Sequence, residues 1–162
     1  QNVPVALAVS GAWITSHRED FDWLRSRKRS GALAITWVNH AFRHPFRRGV
    51  PDAENFLLTP GLNIQSEILD TERLLIAHGE VPSVFFRFPG LVADKAVMQA
   101  VRDHHLIALG ADAWLVLSPK PRDGSIVLVH ANGNEPAGLV LFERLVAQGK
   151  LPQPLRSILE AP

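Results

Sequence analysis

Short apolar runs alternate with segments whose apolar residues recur at helical spacing, from one end of the chain to the other. A chain patterned this way is restricted to βα units, with strands laid side by side in parallel and helices covering them. Val3 to Val9 is the first run and ends at Ser10-Gly11. Ser16 and Glu19 form a capping-box signature for a helix with Phe21 and Leu24 on one face, stopped by Ser30-Gly31. Ala32 to Val38 is nearly continuous in apolar residues, as expected of a strand covered on both faces. After a loop rich in Arg, Pro and Gly (Phe42 to Asn55), Ile64, Ile68, Thr71 and Leu75 mark a helix from Ile64 to His78 that ends at Gly79. Pro82 leads into a strand over Ser83 to Phe86. Asp94 is placed to cap a helix carrying Val97, Met98 and Val101, and Leu106 to Leu109 follows as a strand. Ser125 to Val129, rich in β-branched residues, predicts another strand. A last helix carries Leu139, Phe142, Leu145 and Val146 and stops at Gly149-Lys150. With no internal repeat, low-complexity tract or linker, the expectation is one α/β domain over residues 1–162.

Composition removes several function classes. The 162 residues are 46% hydrophobic and 20% charged, enough for a core and far from the disordered regime. A net charge of +1 offers no broad basic face, so no nucleic-acid partner is expected. No apolar run approaches the roughly 20 residues of a membrane span, and no signal peptide is visible. The absence of cysteine excludes disulfides, zinc–thiolate sites and cysteine nucleophiles while leaving the compartment open. There is no tyrosine, so an aromatic platform must come from the four Trp or eight Phe. Seven histidines remain as metal ligands and proton carriers.

In parallel α/β architectures functional groups gather where strands end. Four such places carry polar chemistry: Asn39-His40 with His44, Arg87, Asp112 with Trp114, and His130. His40 and His44, four apart after a strand, either share a divalent cation or are solvated loop histidines among Arg43, Arg47 and Arg48. Two imidazoles are an incomplete donor set, so a carboxylate or third histidine is required. Arg87 emerges from the apolar run Val84-Phe85-Phe86 and calls for a carboxylate or an anionic ligand. Asp112 is its partner candidate, or the cap of a turn. His130 is placed for general acid–base work, or is a hydrogen-bonded rim residue. His17, His78, His104 and His105 read as surface residues, and Arg25, Arg27, Lys28 and Arg29 as a solvated helix end.

Taken in order, these pieces resemble the polysaccharide deacetylase family, the NodB-homology domain of carbohydrate esterase family 4. Asn39-His40-Ala41-Phe42-Arg43-His44-Pro45 is similar to the family's second motif, which implies that His40 and His44 bind the metal. Arg87-Phe88-Pro89-Gly90 resembles the third, implying that Arg87 positions the catalytic base and that Phe88, Pro89 and Gly90 line the substrate groove. Asp112-Ala113-Trp114 resembles the fourth, with Asp112 supporting the arginine and Trp114 lining the acetyl pocket. Leu128-Val129-His130 resembles the fifth, with His130 as general acid. The likeness runs from Val3 to Pro152. The implied fold is a deformed (β/α) barrel of mostly parallel strands.

Three departures qualify the likeness. No segment matches the Thr-Phe-Asp-Asp type first motif, which supplies the base and third metal ligand. Val3 to Ser10 resembles the family's second strand, so the chain is expected to be incomplete at its N-terminus. Gly90 stands where an aromatic residue is usual and Leu91 where glycine is usual, and Asn132-Gly133-Asn134-Glu135 after His130 suggests a divergent branch. Asp52, Glu54 and Glu135 are candidate substitute carboxylates. The resemblance implies a metal-dependent hydrolase, zinc the expected metal, that removes N- or O-acetyl groups from a carbohydrate polymer outside the cytoplasm. The alternative is a catalytically inactive deacetylase-fold protein that binds a glycan or other ligand.

Overall fold

Val5–Val9 (β1) and Ile35–Asn39 (β2) pair in parallel along their whole length, Val5 opposite Ile35 and Val9 opposite Asn39. Asn39 lies opposite Phe86 of Phe85–Phe86 (β3), and Phe86 lies opposite Ala108 of Ile107–Ala108 (β4). The result is a four-stranded parallel sheet in the order β1-β2-β3-β4. This computed structural model describes residues 3–117, 121–131, 133–151 and 155–160. They fall into two compact units, one comprising residues 3–109 with 157–160, the other 110–151 with 155–156.

In the larger unit, β2 is buried apart from the half-buried Thr36, as its nearly continuous apolar pattern predicts. Two helices follow β1: Gly11–Ser16 (α1) and Arg18–Arg29 (α2). The cap of α1 is Ser10, whose Oγ accepts from Trp13 N at 3.2 Å, and α2 starts after His17. Ser16 is therefore the last residue of α1 and not a cap, because its hydroxyl donates back to Ala12 O and Trp13 O. Ile64–Ala77 (α3) and Lys95–Asp103 (α4) match their patterns, with Asp94 capping Val97 N at 2.8 Å. Ile68 and Leu75 of α3 enter two separate core clusters, one with Phe86, Phe88 and Val101, the other with Ile14, Phe21 and Trp37. Met98 is exposed while Val97 and Val101 are buried, so the stripe on α4 is narrower than expected.

The basic cluster of α2 is only partly solvated. Lys28 Nζ donates to Glu80 at 2.6 Å, Trp37 Nε1 at 2.8 Å and Arg25 Nε at 3.3 Å. Burial acts to raise the pKa of Glu80, but these donors outweigh it and hold the carboxyl below its ordinary value. Of the histidines read as surface residues, His17 and His105 are exposed, while His78 and His104 are half-buried. His78 Nδ1 donates to Leu74 O at 2.8 Å and its ring meets Phe21 edge-on.

The smaller unit has less regular structure than its sequence suggests. Ala113–Trp114 (β5) and Val127–Leu128 (β6) form a two-stranded parallel ladder, so the run Ser125 to Val129 contributes only its centre. The reason is local: Ser125 and Ile126 donate sideways to the Asp112 carboxylate and do not extend the ladder from that end. Pro136–Ala147 (α5) forms where expected, but its only buried residue is Gly138, and Leu139 and Val140 are exposed. Asn132 and Pro152 lie outside the described residues. Among those described, no helix is long and apolar enough to cross a membrane.

Replacing Glu80 by Gln should destabilise the chain by about 2 kcal/mol at pH 7, because it weakens charge-assisted bonds to a buried acceptor. A carboxylate held below its unfolded value stabilises fully above that value and loses its contribution as pH falls through the folded one. Urea unfolding of the two proteins should therefore differ at pH 7 and converge on acidification below pH 4.5. Parallel curves at both pH values would show that the charge is not what holds these elements.

Candidate functional site

Because β1, β2 and β3 run parallel and in register, the residues following them emerge at one edge of the sheet. His40 follows β2 and Arg87 follows β3, joined by Arg87 N donating to Asn39 O at 2.8 Å. His40 Nδ1 lies 2.8 Å from Arg87 O. A carbonyl can only accept, so Nδ1 carries the hydrogen and the lone pair of the neutral ring is on Nε2. The His44 ring stands 4.6 Å from that of His40, inclined at 63°. Burial lowers the pKa of His44, which favours its neutral, ligand-competent form.

This pair depends on an unusual loop. Ala41 (φ 64°) and His44 (φ 50°) both occupy the left-handed region, at a cost of about 1–2 kcal/mol for each non-glycine residue. Asn39 Oδ1 accepts from Ala41 N at 3.0 Å, and its amide nitrogen donates to Ile68 O at 2.9 Å and Glu72 at 2.7 Å. Glu72 also accepts from Ser83 N at 2.8 Å, and burial raises its pKa despite both donors. Glu67, 1% exposed, accepts from Phe42 N at 3.1 Å, Arg43 N at 2.8 Å and Arg43 Nε. Neither Glu67 nor Glu72 is evident from composition or motif. The one available signal is that both flank the buried stripe Ile68, Thr71 and Leu75 of α3.

Arg87 is 8% exposed, and burial lowers the pKa of its guanidinium. No described carboxylate of its unit forms an ion pair with it. Phe88 packs edge-on against Phe86 in the core, and Pro89 is buried, so this segment presents mainly backbone. Gly90 (φ 63°) lets the turn approach Phe56: a Cβ there would lie 2.5 Å from the Phe56 ring. Phe56 in turn meets His44 edge-on at 6.3 Å and Phe46 at 5.4 Å. Asp52 and Glu54 are exposed in a 3-10 turn.

The smaller unit holds the remaining candidates. Asp112 sits at the start of β5, accepting from Ile126 N at 2.7 Å and Ser125 Oγ at 3.1 Å. The Ile126 N–H is the main reason its pKa is lowered. Trp114 and His130 are at the other edge of the same ladder. Glu135 Oε2 accepts from both Trp114 Nε1 and His130 Nδ1, each at 2.7 Å, and the two rings meet at 5.2 Å. The His130 bond is the first cause of the lowered Glu135 pKa and Trp114 the second. Glu135 is thus His130's carboxylate partner, and the tail in which it lies has a use that its motif alone does not reveal.

No protein-family model matches the chain. Solved structures do. A family 4 carbohydrate esterase from Streptomyces lividans in complex with acetate superposes with a TM-score of 0.64 at 15% identity, over 98% of this chain and 82% of the other. The fold is that of the family 4 carbohydrate esterases. A second such esterase, from Bacillus anthracis, gives 0.65 at 18% identity, with 98% and 69% covered. A wild-type family 4 pseudoenzyme from the same organism gives 0.63 at 19%, with 98% and 55% covered. The chain thus spans little more than half the length of that pseudoenzyme.

In kind, the donors at His40 and His44 suit a divalent cation: two imidazoles, one with its tautomer set by Arg87 O and the other with its pKa lowered by burial. In number they are two, and no cluster of three or more His, Cys, Asp or Glu suited to a metal occurs among the described residues.

Gly90→Ala should cost about 2 kcal/mol, combining left-handed backbone strain with overpacking against Phe56. Thermal unfolding would measure it. An unchanged midpoint would mean that the Gly90–Phe56 approach is not as close as the structure places it.

Proposed function

We propose that the chain belongs to a metal-dependent deacetylase that removes N- or O-acetyl groups from a carbohydrate polymer outside the cytoplasm. The observation that carries this reading is the pair of neighbouring imidazoles at the edge of a parallel sheet, with His40 oriented by the Arg87 carbonyl. His40 and His44 would hold the cation, with zinc the expected metal. Bound there, it supplies Lewis acidity toward an acyl oxygen and toward water.

The chain's own residues supply several of the remaining roles. Arg87, buried and without a carboxylate partner among the described residues of its unit, is suited to hold an anionic group in place. The backbone N–H near Gly90, in the turn after Phe88 and Pro89, is of the kind that stabilises a developing oxyanion. His130 keeps its Nδ1 hydrogen on Glu135, which leaves Nε2 to deliver a proton to a leaving amine or alcohol. Trp114, fixed through Nε1, presents an apolar ring beside it. Asp112 immediately precedes the strand that carries Trp114 and is engaged with Ser125 and Ile126.

A second reading, an inactive protein that binds a glycan on the same scaffold, is favoured by the two-member donor set and by the fold's occurrence in a pseudoenzyme.

Calorimetric titration with Zn²⁺ or Co²⁺, together with acetate release from an acetylated chitooligosaccharide, separates the readings. The enzyme reading expects stoichiometric binding that is lost in His40→Ala. It also expects His130→Ala to keep the metal and lower turnover by about 10²–10⁴-fold. Metal occupancy unaffected by His40→Ala would remove the His40/His44 site, and no acetate with no metal would leave the glycan-binding reading.

A further inference from the structure

The loop bearing His40 and His44 is held in a conformation its own residues disfavour, and the group that holds it is on another element. Ala41 and His44 both have positive φ, and Ala41 is fully buried, so the loop cannot relax by turning that side chain to solvent. Between the two histidines, the N–H groups of Phe42 and Arg43 both point at one oxygen of Glu67, in the first turn of α3. The other oxygen takes Arg43 Nε. A buried carboxylate satisfied by two consecutive backbone donors dictates the path of the chain between the residues that flank them.

We propose that Glu67 is a positioning residue for the His40/His44 pair: by clamping the Phe42 and Arg43 N–H groups it sets the distance and mutual angle of the two imidazoles, and hence their joint affinity for a divalent cation. This rests on reading the pair as metal ligands. The clamp acts through the backbone. The Arg43 side chain is mostly exposed, and its contact with Glu67 is dispensable to the positioning.

The test is Co²⁺ binding to the whole chain, read by titration and by the visible absorption of the bound ion, whose bands report ligand geometry. Glu67→Gln keeps the size of the group but puts an amide where two backbone donors and Arg43 Nε now converge. It should weaken Co²⁺ binding by roughly tenfold and shift the absorption bands, with native far-UV circular dichroism. Arg43→Ala should leave both within twofold of the parent. Ala41→Gly, which removes the left-handed penalty at that position, should restore part of the affinity lost in Glu67→Gln. Should Glu67→Gln fail to fold, Glu67→Asp, one methylene shorter, replaces it with the same expected loss and shift. A folded Glu67 variant with unchanged affinity and spectrum overturns the proposal, as does an equal loss in Arg43→Ala. His40→Ala separates the two failures. If it abolishes binding while the Glu67 variants do not change it, the clamp alone is wrong; if it changes nothing, the metal reading itself fails.

Discussion

The larger unit turns on one buried amide. Asn39, at the end of the central strand, has no exposed surface and uses every polar group it has. Its backbone N–H donates to Ser83 Oγ and its carbonyl accepts from Arg87 N; its side chain reaches Ala41 N, Ile68 O and Glu72. It therefore ties β2 to α3, to the approach to β3 and to the histidine loop. A buried polar network is stabilising only when all its members are satisfied. For that reason, the geometry of His40 is inseparable from the packing of α3 against the sheet.

Three buried glutamates perform related tasks at different depths of the same unit. Glu80 collects Lys28, Arg25 and Trp37 and binds α2 to β2. Glu72 joins Asn39 to Ser83, and Glu67 holds the loop between the histidines. Their environments differ in consequence. Cationic donors and an indole N–H lower the pKa of Glu80, whereas Glu72 has only neutral donors and is raised by burial. The smaller unit uses a fourth carboxylate differently. Glu135 accepts from an imidazole and an indole at one end of a two-residue ladder, which holds both rings on one carboxylate oxygen.

Much of the scaffold was legible because period and caps are local properties. The alternation of apolar runs and helical stripes placed the helix Ile64–Ala77 nearly to the residue, and Asp94 was recognisable as the cap that starts Lys95–Asp103. Reading failed where a side chain had two local options. Ser16 could cap α2 or bond back within α1; it does the latter, and Ser10 takes the capping role. Ser125 to Val129 had the composition of a long strand, but the Asp112 carboxylate captures its first donors. Arg25 and Lys28 looked like a solvated helix end because nothing nearby in sequence shows that Glu80, more than 50 residues away, is buried beneath them.

The sequence by itself determined the α/β class, the parallel pairing and the position of His40, His44, Arg87 and His130 at strand ends, since all of these follow from short-range periodicity. Tertiary structure alone decided what each of those residues is paired with. The tautomer of His40 is set by a carbonyl 47 residues away, the loop between the histidines by a glutamate on α3, and the Glu135 carboxylate that meets His130 is also held by Trp114, on another strand. Hydrogen bonds of that range depend on how buried elements come together, and no local pattern encodes the partner.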